Sequence, residues 1–147
     1  MSILKIKRLK ENAVLPKRET CGSAGHDLRA CLTEDVVIHP GETVKMPTGI
    51  AIEMESNRYV AIIAARSSMA AKYGITMANG IGVIDSDYRG EISILLFNHS
   101  QEPFTVHPGD RVAQMLIVPV DLPEIVEADE LSDTQRGTGG FGSTGRA

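Results

Sequence analysis

The sequence predicts a mainly β protein, a two-sheet jelly-roll or distorted β-barrel with one short helix, and three observations carry that expectation. Short segments rich in Val, Ile and Thr follow one another between Pro-Gly turns, and no span keeps a helical period long enough for a helical domain. The stretch Ile38-His39-Pro40-Gly41-Glu42-Thr43-Val44 is echoed by Val106-His107-Pro108-Gly109-Asp110-Arg111-Val112, each reading as strand, turn, strand. At 147 residues, 42% of them hydrophobic, one domain can bury a core without a metal or disulfide staple.

Strands are expected at 36–38 and 43–46, on either side of the first Pro-Gly turn, and at 49–54. The next, at 59–65, carries Val60-Ala61-Ile62-Ile63-Ala64-Ala65 with no polar face, so it should be covered on both sides, and an oligomer interface is one way to do so. A helix is expected over 67–73, where Ser67-Ser68 offers a cap and Met69, Ala70 and Ala71 favour the helix. Residues 79–91 read as a glycine-permitted hairpin and an acidic turn, and strands follow at 90–98, 104–106 and 111–118. Three regions result: a β core over 1–121, an acidic linker over 122–135 and a glycine-rich arm over 136–147. The linker carries Glu124, Glu127, Asp129, Glu130 and Asp133 with no counter-charge, repels itself and could extend to roughly 45 Å, against a domain radius of gyration of about 15 Å. The arm can therefore reach a neighbouring subunit.

Charge and cysteine usage narrow the function classes. A net charge of −4 argues against a duplex-binding surface, and no nucleic-acid partner is expected. Charges interrupt every apolar run, so no membrane association is expected either, and Cys21 and Cys31 read as reduced thiols of a cytoplasmic protein. His39 and His107 read as turn residues, lacking acidic or histidine neighbours at metal spacing. The string Gly137-Thr138-Gly139-Gly140-Phe141-Gly142 matches the letters of a dinucleotide fingerprint without its strand and helix, and no G-K-[ST] opens a P-loop.

The arm itself points to a nucleotide. Arg136, Thr138, Ser143 and Thr144 supply donors for anionic oxygens, while Phe141 offers a ring to stack on a base. In Asn79-Gly80-Ile81-Gly82-Val83-Ile84-Asp85-Ser86-Asp87-Tyr88, the glycines admit close approach of a base to the backbone. Tyr88 offers a flat face for a sugar, and Asp85 or Asp87 could orient and deprotonate water. Arg66, Ser67 and Ser68 at the helix start suit a phosphate, although alone they are a common capping pattern. Asp27 and Arg29 in one segment, and Asp110, Arg111 and Gln114 in another, each place an Asp and an Arg beside a turn.

Taken in order, A-G-x-D-L-R-A, A-R-S-S-M-A, N-G-x-G-V-I-D-S-D-Y-R-G-E, P-G-D-R-V-A-Q-M and R-G-T-G-G-F-G-S-T-G resemble the five motifs of the trimeric dUTP diphosphatases (dUTPases), from Ala24 to Gly145. The resemblance implies a β jelly-roll homotrimer with a flexible C-terminal arm, its sites built from all three chains. It implies hydrolysis of dUTP to dUMP and diphosphate, which limits uracil incorporation into DNA and supplies dUMP for thymidylate synthesis. Asp85 would activate water for attack on the α-phosphorus. Mg²⁺ would be held mainly by phosphate oxygens and water, with Asp27 assisting through water and no direct protein ligand. Asn79 and the backbone of Gly82, Val83 and Ile84 would pair with uracil, and Tyr88 would pack under the deoxyribose. Arg66, Ser67, Ser68 and Gln114 would hold the α- and β-phosphates, while Arg136, Gly142, Ser143 and Thr144 close on the γ-phosphate and Phe141 covers the base.

The motifs depart from many relatives at Ser68, where Gly is common, and at Met69, where Leu is common; altered affinity rather than lost chemistry is expected. Two other readings stand beside hydrolysis. A dCTP deaminase of related fold would need a catalytic glutamate where Asp85-Ser86-Asp87-Tyr88 stands. A nucleotide-gated regulator on the same trimer would pass the state of its arm to a protein partner, whose identity the sequence does not specify.

Overall fold

Residues 3–140 are described by the computed structural model, and they form eleven strands and one helix. In chain order these are β1 (Leu4–Arg8), β2 (His26–Arg29), β3 (Val36–Ile38), β4 (Thr43–Pro47), β5 (Ile50–Met54), β6 (Tyr59–Ala64), α1 (Ser67–Tyr73), β7 (Ile75–Met77), β8 (Ile81–Ile84), β9 (Ser93–Asn98), β10 (Phe104–Val106) and β11 (Arg111–Pro119). All pairings are antiparallel. A four-stranded sheet runs β2-β11-β6-β8, a three-stranded sheet runs β4-β9-β7, and the pairs β1-β5 and β10-β3 complete the body.

The two Pro-Gly segments fold as equivalent turns. Gly41 and Gly109 take φ of 75° and 84°, which only the residue lacking a Cβ adopts freely after a corner proline. In each, the acidic side chain closes the turn: His39 N donates to Glu42 Oε2 and His107 N to Asp110 Oδ2, both at 2.8 Å. The likeness extends to long range. Gly41 N donates to Asn98 O at 2.9 Å and Asn98 N returns a bond to Glu42 O, while Gly109 N donates to Ala30 O at 2.9 Å and Ala30 N returns one to Asp110 O.

Alternate residues of the strands meet in one core of Leu28, Ile38, Met46, Ile50, Ile63, Ile75, Ile94, Leu96 and Met115. The expected strands recur with ends shifted by a few residues, most at 90–98, which begins at Ser93. β1, β2, β7 and β8 were not individually expected. β1 alternates Leu4 and Ile6 toward the body with Lys5 and Lys7 toward water, and its charges mask the pattern.

The segment expected as a hairpin is a turn between sheets. Gly80, at φ 71°, donates to Met77 O at 3.0 Å, but β7 then pairs with β9 while β8 pairs with β6. The arms part because Ile75 and Met77 enter the core beneath one sheet and Gly82 packs against Ile63 of the other. Helix α1 holds its expected limits, yet Ser67 and Ser68 do not cap it. Arg66 occupies the N-cap position and makes no side-chain capping bond, and Gly74 closes the other end in the left-handed conformation.

Candidate active site

The arginine and carboxylate of separate motifs meet because β2 and β11 are neighbours, with Asp27 opposite Gln114. Asp27 accepts from Arg66 Nε through Oδ1 and from Arg111 through Oδ2, both at 3.1 Å. Its side chain is only 13% exposed, so the two guanidinium groups offset the cost of taking its charge from water. Arg111 also reaches Glu19 at 3.1 Å. Gln114 stands over Gly25, where any Cβ would strike its Oε1, and donates from Nε2 to Ala65 O at 3.1 Å. One Gln114 N–H remains for a ligand, as do the amides of Ser67 and Ser68, which precede the first helical hydrogen bond.

These groups line a cleft of about 500 Å³ that gathers Gly25, Asp27, Arg66, Ser67, Ser68 and Gln114. The Arg66 guanidinium, the spare Gln114 N–H and the free amides of Ser67 and Ser68 suit phosphate oxygens. Sequence reasoning quoted Arg111 within a motif without giving it a role, and missed Glu19 altogether. The P-G-D-R string was the available signal for the arginine; nothing local marks the glutamate.

A second cleft, of about 420 Å³, is lined by Val83, Ile84, Asp85 and Tyr88 together with Lys45, Glu91, Ser93 and Leu95. Tyr88 N donates to Asp85 O at 3.2 Å, and Arg89 closes the same turn through Ser86 O at 2.8 Å and Tyr88 O at 3.1 Å. The Asp85 carboxylate is thus carried, exposed, on a turn closed by its own hydrogen bonds. Tyr88 is 45% exposed, its hydroxyl donates to Glu91 O, and its ring lies on Gly90 so closely that a side chain there would collide with it. Asn79 is exposed at the turn before β8. Gly82 is buried and its missing Cβ would meet Ile63 at 3.1 Å, so its glycine serves core packing rather than the approach of a guest on that side.

The two clefts share no lining residue. In the β6-β8 ladder Ala64 faces Ile81 and Ala61 faces Ile84, so Arg66 follows one end and Asp85 the other. Continuing that ladder past its registered pairs sets their levels six residues apart, about 20 Å at roughly 3.3 Å each. One chain therefore does not bring Asp85 and Arg66 to the same phosphate. Arg136 is exposed and donates from Nε to Gly139 O at 2.9 Å within its own segment. Phe141, Gly142, Ser143 and Thr144 lie outside the described residues.

A dUTPase family model matches residues 11–145. The chain belongs to the dUTPase family. It is 53% identical over 131 residues to the deoxyuridine 5'-triphosphate nucleotidohydrolase of Desulfitobacterium hafniense, covering 89% of this chain and 87% of that protein. It is 52% identical over 143 residues to that of Nautilia profundicola, covering 97% and 99%. Among solved structures, a mutant of the Staphylococcus bacteriophage 80alpha dUTPase with dUpNHpp superposes with a TM-score of 0.88 at 27% identity, covering 98% of this chain and 99% of that one. A mutant dUTPase of the S. aureus phage phi11, described as coordinating a structural Mg(II) ion, superposes at 0.80 with 25% identity, covering 89% of this chain and 99% of that one. As a dUTPase, the protein is an enzyme that hydrolyses dUTP to dUMP and diphosphate. The family match favours hydrolysis over the deaminase reading.

Proposed function

We propose that this dUTPase works as a homotrimer in which the Asp85 cleft of one copy and the Arg66 cleft of another close on a single dUTP. The carrying observation is the separation of about 20 Å between those groups along one β6-β8 ladder, which a second copy removes. The outer face of the four-stranded sheet supports the same assembly: Ile62 of β6 lies between Val83 of β8 and Leu116 of β11, and Val83 is 57% exposed in the single chain. So does the segment after β11, where Leu122, Ile125 and Leu131 are 63%, 94% and 90% exposed.

In that site the Asn79 turn and the backbone of Gly82, Val83 and Ile84 receive the uracil edge, and the Tyr88 ring supports the deoxyribose. Arg66, Ser67, Ser68 and Gln114 of the second copy hold the α- and β-phosphates, with Asp27 fixing the Arg66 guanidinium. The Asp85 carboxylate takes a proton from water as its oxygen attacks the α-phosphorus. The bond from that phosphorus to the bridging oxygen breaks, and diphosphate leaves with the electron pair. Aspartate is a weak base, so positioning and charge carry most of the acceleration. Arg136, Phe141, Gly142, Ser143 and Thr144 of the arm close over the γ-phosphate and base and exclude water.

Mg²⁺ fits this donor set as an ion bound to the substrate. Both Asp27 oxygens are committed to arginines, and the described residues contain no cluster of three His, Cys, Asp or Glu side chains to cage a metal. When bound, it neutralises phosphate charge.

Asp85→Asn tests the reading directly. Release of dUMP should fall by several orders of magnitude while the affinity for a non-hydrolysable dUTP analogue stays within about threefold. Equal loss of both would give Asp85 a binding role instead. The regulator reading has support only from fold likeness to phage 80alpha dUTPase, described as controlling transfer of virulence genes by a proto-oncogenic G protein-like mechanism, and hydrolysis does not require it.

A further inference from the structure

Lys45 is the only basic side chain lining the cleft that holds Asp85 and Tyr88. It projects from β4, where its partner across the ladder is Leu95, a residue 36% exposed on the cleft wall. The lysine is itself exposed and takes part in none of the ion pairs among the described residues, which draw their cations from Lys5, Arg66, His107 and Arg111. The other carboxylate of the cleft, Glu91, accepts the Gly49 N–H through Oε1 at 2.8 Å and forms no ion pair with Lys45 among the described residues. An ammonium without an ion-pair partner among the described residues thus lines the cleft together with Leu95 and Val83, on the same chain as the base.

We propose that Lys45 is a catalytic residue of the dUTPase reaction, its ammonium donating to a non-bridging oxygen of the α-phosphate while Asp85 activates the water. The inference rests on the placement of the α-phosphorus beside Asp85 given above. When the water oxygen bonds to phosphorus and the bridging oxygen departs, charge redistributes over the non-bridging oxygens, and a cation aimed there lowers the barrier. Arg66 is anchored to Asp27 in the other cleft and approaches from a second copy. Lys45 is available from the Asp85 side, with a flexible stem and three donors that need no fixed geometry. It escaped sequence reasoning because it lies forty residues before Asp85, outside all five motifs.

The test uses the full-length protein with dUTP and Mg²⁺, comparing Lys45→Met, Lys45→Arg and Asp85→Asn. Lys45→Met should lower kcat about tenfold, less than the 10²–10³-fold typical of a buried oxyanion donor, because the cleft is open to water. Binding of the α,β-imido analogue of dUTP should change less than about threefold, and Lys45→Arg should recover most of kcat. A Lys45→Met enzyme within twofold of the native kcat overturns the proposal, as does an analogue affinity that falls as far as kcat. Failure of Lys45→Arg to restore turnover also overturns it, by assigning the effect to strand packing. A silent Lys45→Met beside an inactive Asp85→Asn removes the lysine alone; full activity in Asp85→Asn removes both.

Discussion

Asn98 has no exposed surface and uses its whole amide. Nδ2 donates to Ile38 O at 2.9 Å and Glu102 O at 2.8 Å, and Oδ1 accepts from the Ser100 amide and hydroxyl, both at 2.8 Å. Asn98→Ala strands several of these groups away from water and should cost about 3 kcal/mol, read from urea unfolding; a loss under about 1 kcal/mol would mean that water replaces the amide. Nothing along the chain marked this residue, because its link to the Ile38 carbonyl, sixty positions away, forms only on folding. The His107–Asp35 pair was equally hidden. A 2.8 Å hydrogen bond and the Asp35 charge raise the His107 pKa above its ordinary 6.5, with Asp110 adding to the effect and desolvation opposing it. A histidine raised on folding stabilises fully below its ordinary value, and that contribution disappears as pH rises through the folded value. Asp35→Asn should therefore lower the His107 titration midpoint in NMR and remove this pH-dependent contribution; an unmoved midpoint would exclude the pair.

Elements bounded by a Pro-Gly turn were legible, since proline and glycine fix the backbone through their own chemistry whatever surrounds them. The strands beside Pro40-Gly41 and Pro108-Gly109 appear at nearly the expected limits, as does α1 between Arg66 and Gly74. β2, with only His26, Asp27, Leu28 and Arg29, shows no apolar alternation, and β7 has three residues behind a helix. Such strands exist because a neighbouring ladder accepts them. The arm over 136–147 requires a functional test of its own. Deleting it should leave far-UV circular dichroism and the urea midpoint unchanged, because residues 136–140 supply no buried side chain. Turnover should fall by roughly 10²-fold or more as closure and phosphate alignment are lost. Full turnover in the truncated enzyme would remove the lid from the mechanism.

The proposed joining of the two clefts depends on assembly. Val60-Ala61-Ile62-Ile63-Ala64-Ala65 was expected to need cover on both faces, and Ala61 and Ile63 do point into the core while Ile62 faces outward beside Val83 and Leu116. Ile62→Glu places a charge in that outer face and should yield a folded protein of lower mass in analytical ultracentrifugation, with kcat/KM falling in parallel. A fully active single chain would refute the shared site. The motif order, the turn chemistry and the family were already written in the chain, because each motif and each turn is a short contiguous string, readable without knowing what it packs against. The divergence of β7 and β8, the double arginine clamp on Asp27 and the place of Lys45 beside Asp85 were settled by folding. Each depends on strand pairings between distant segments, whose energies come from neighbours that meet only in three dimensions.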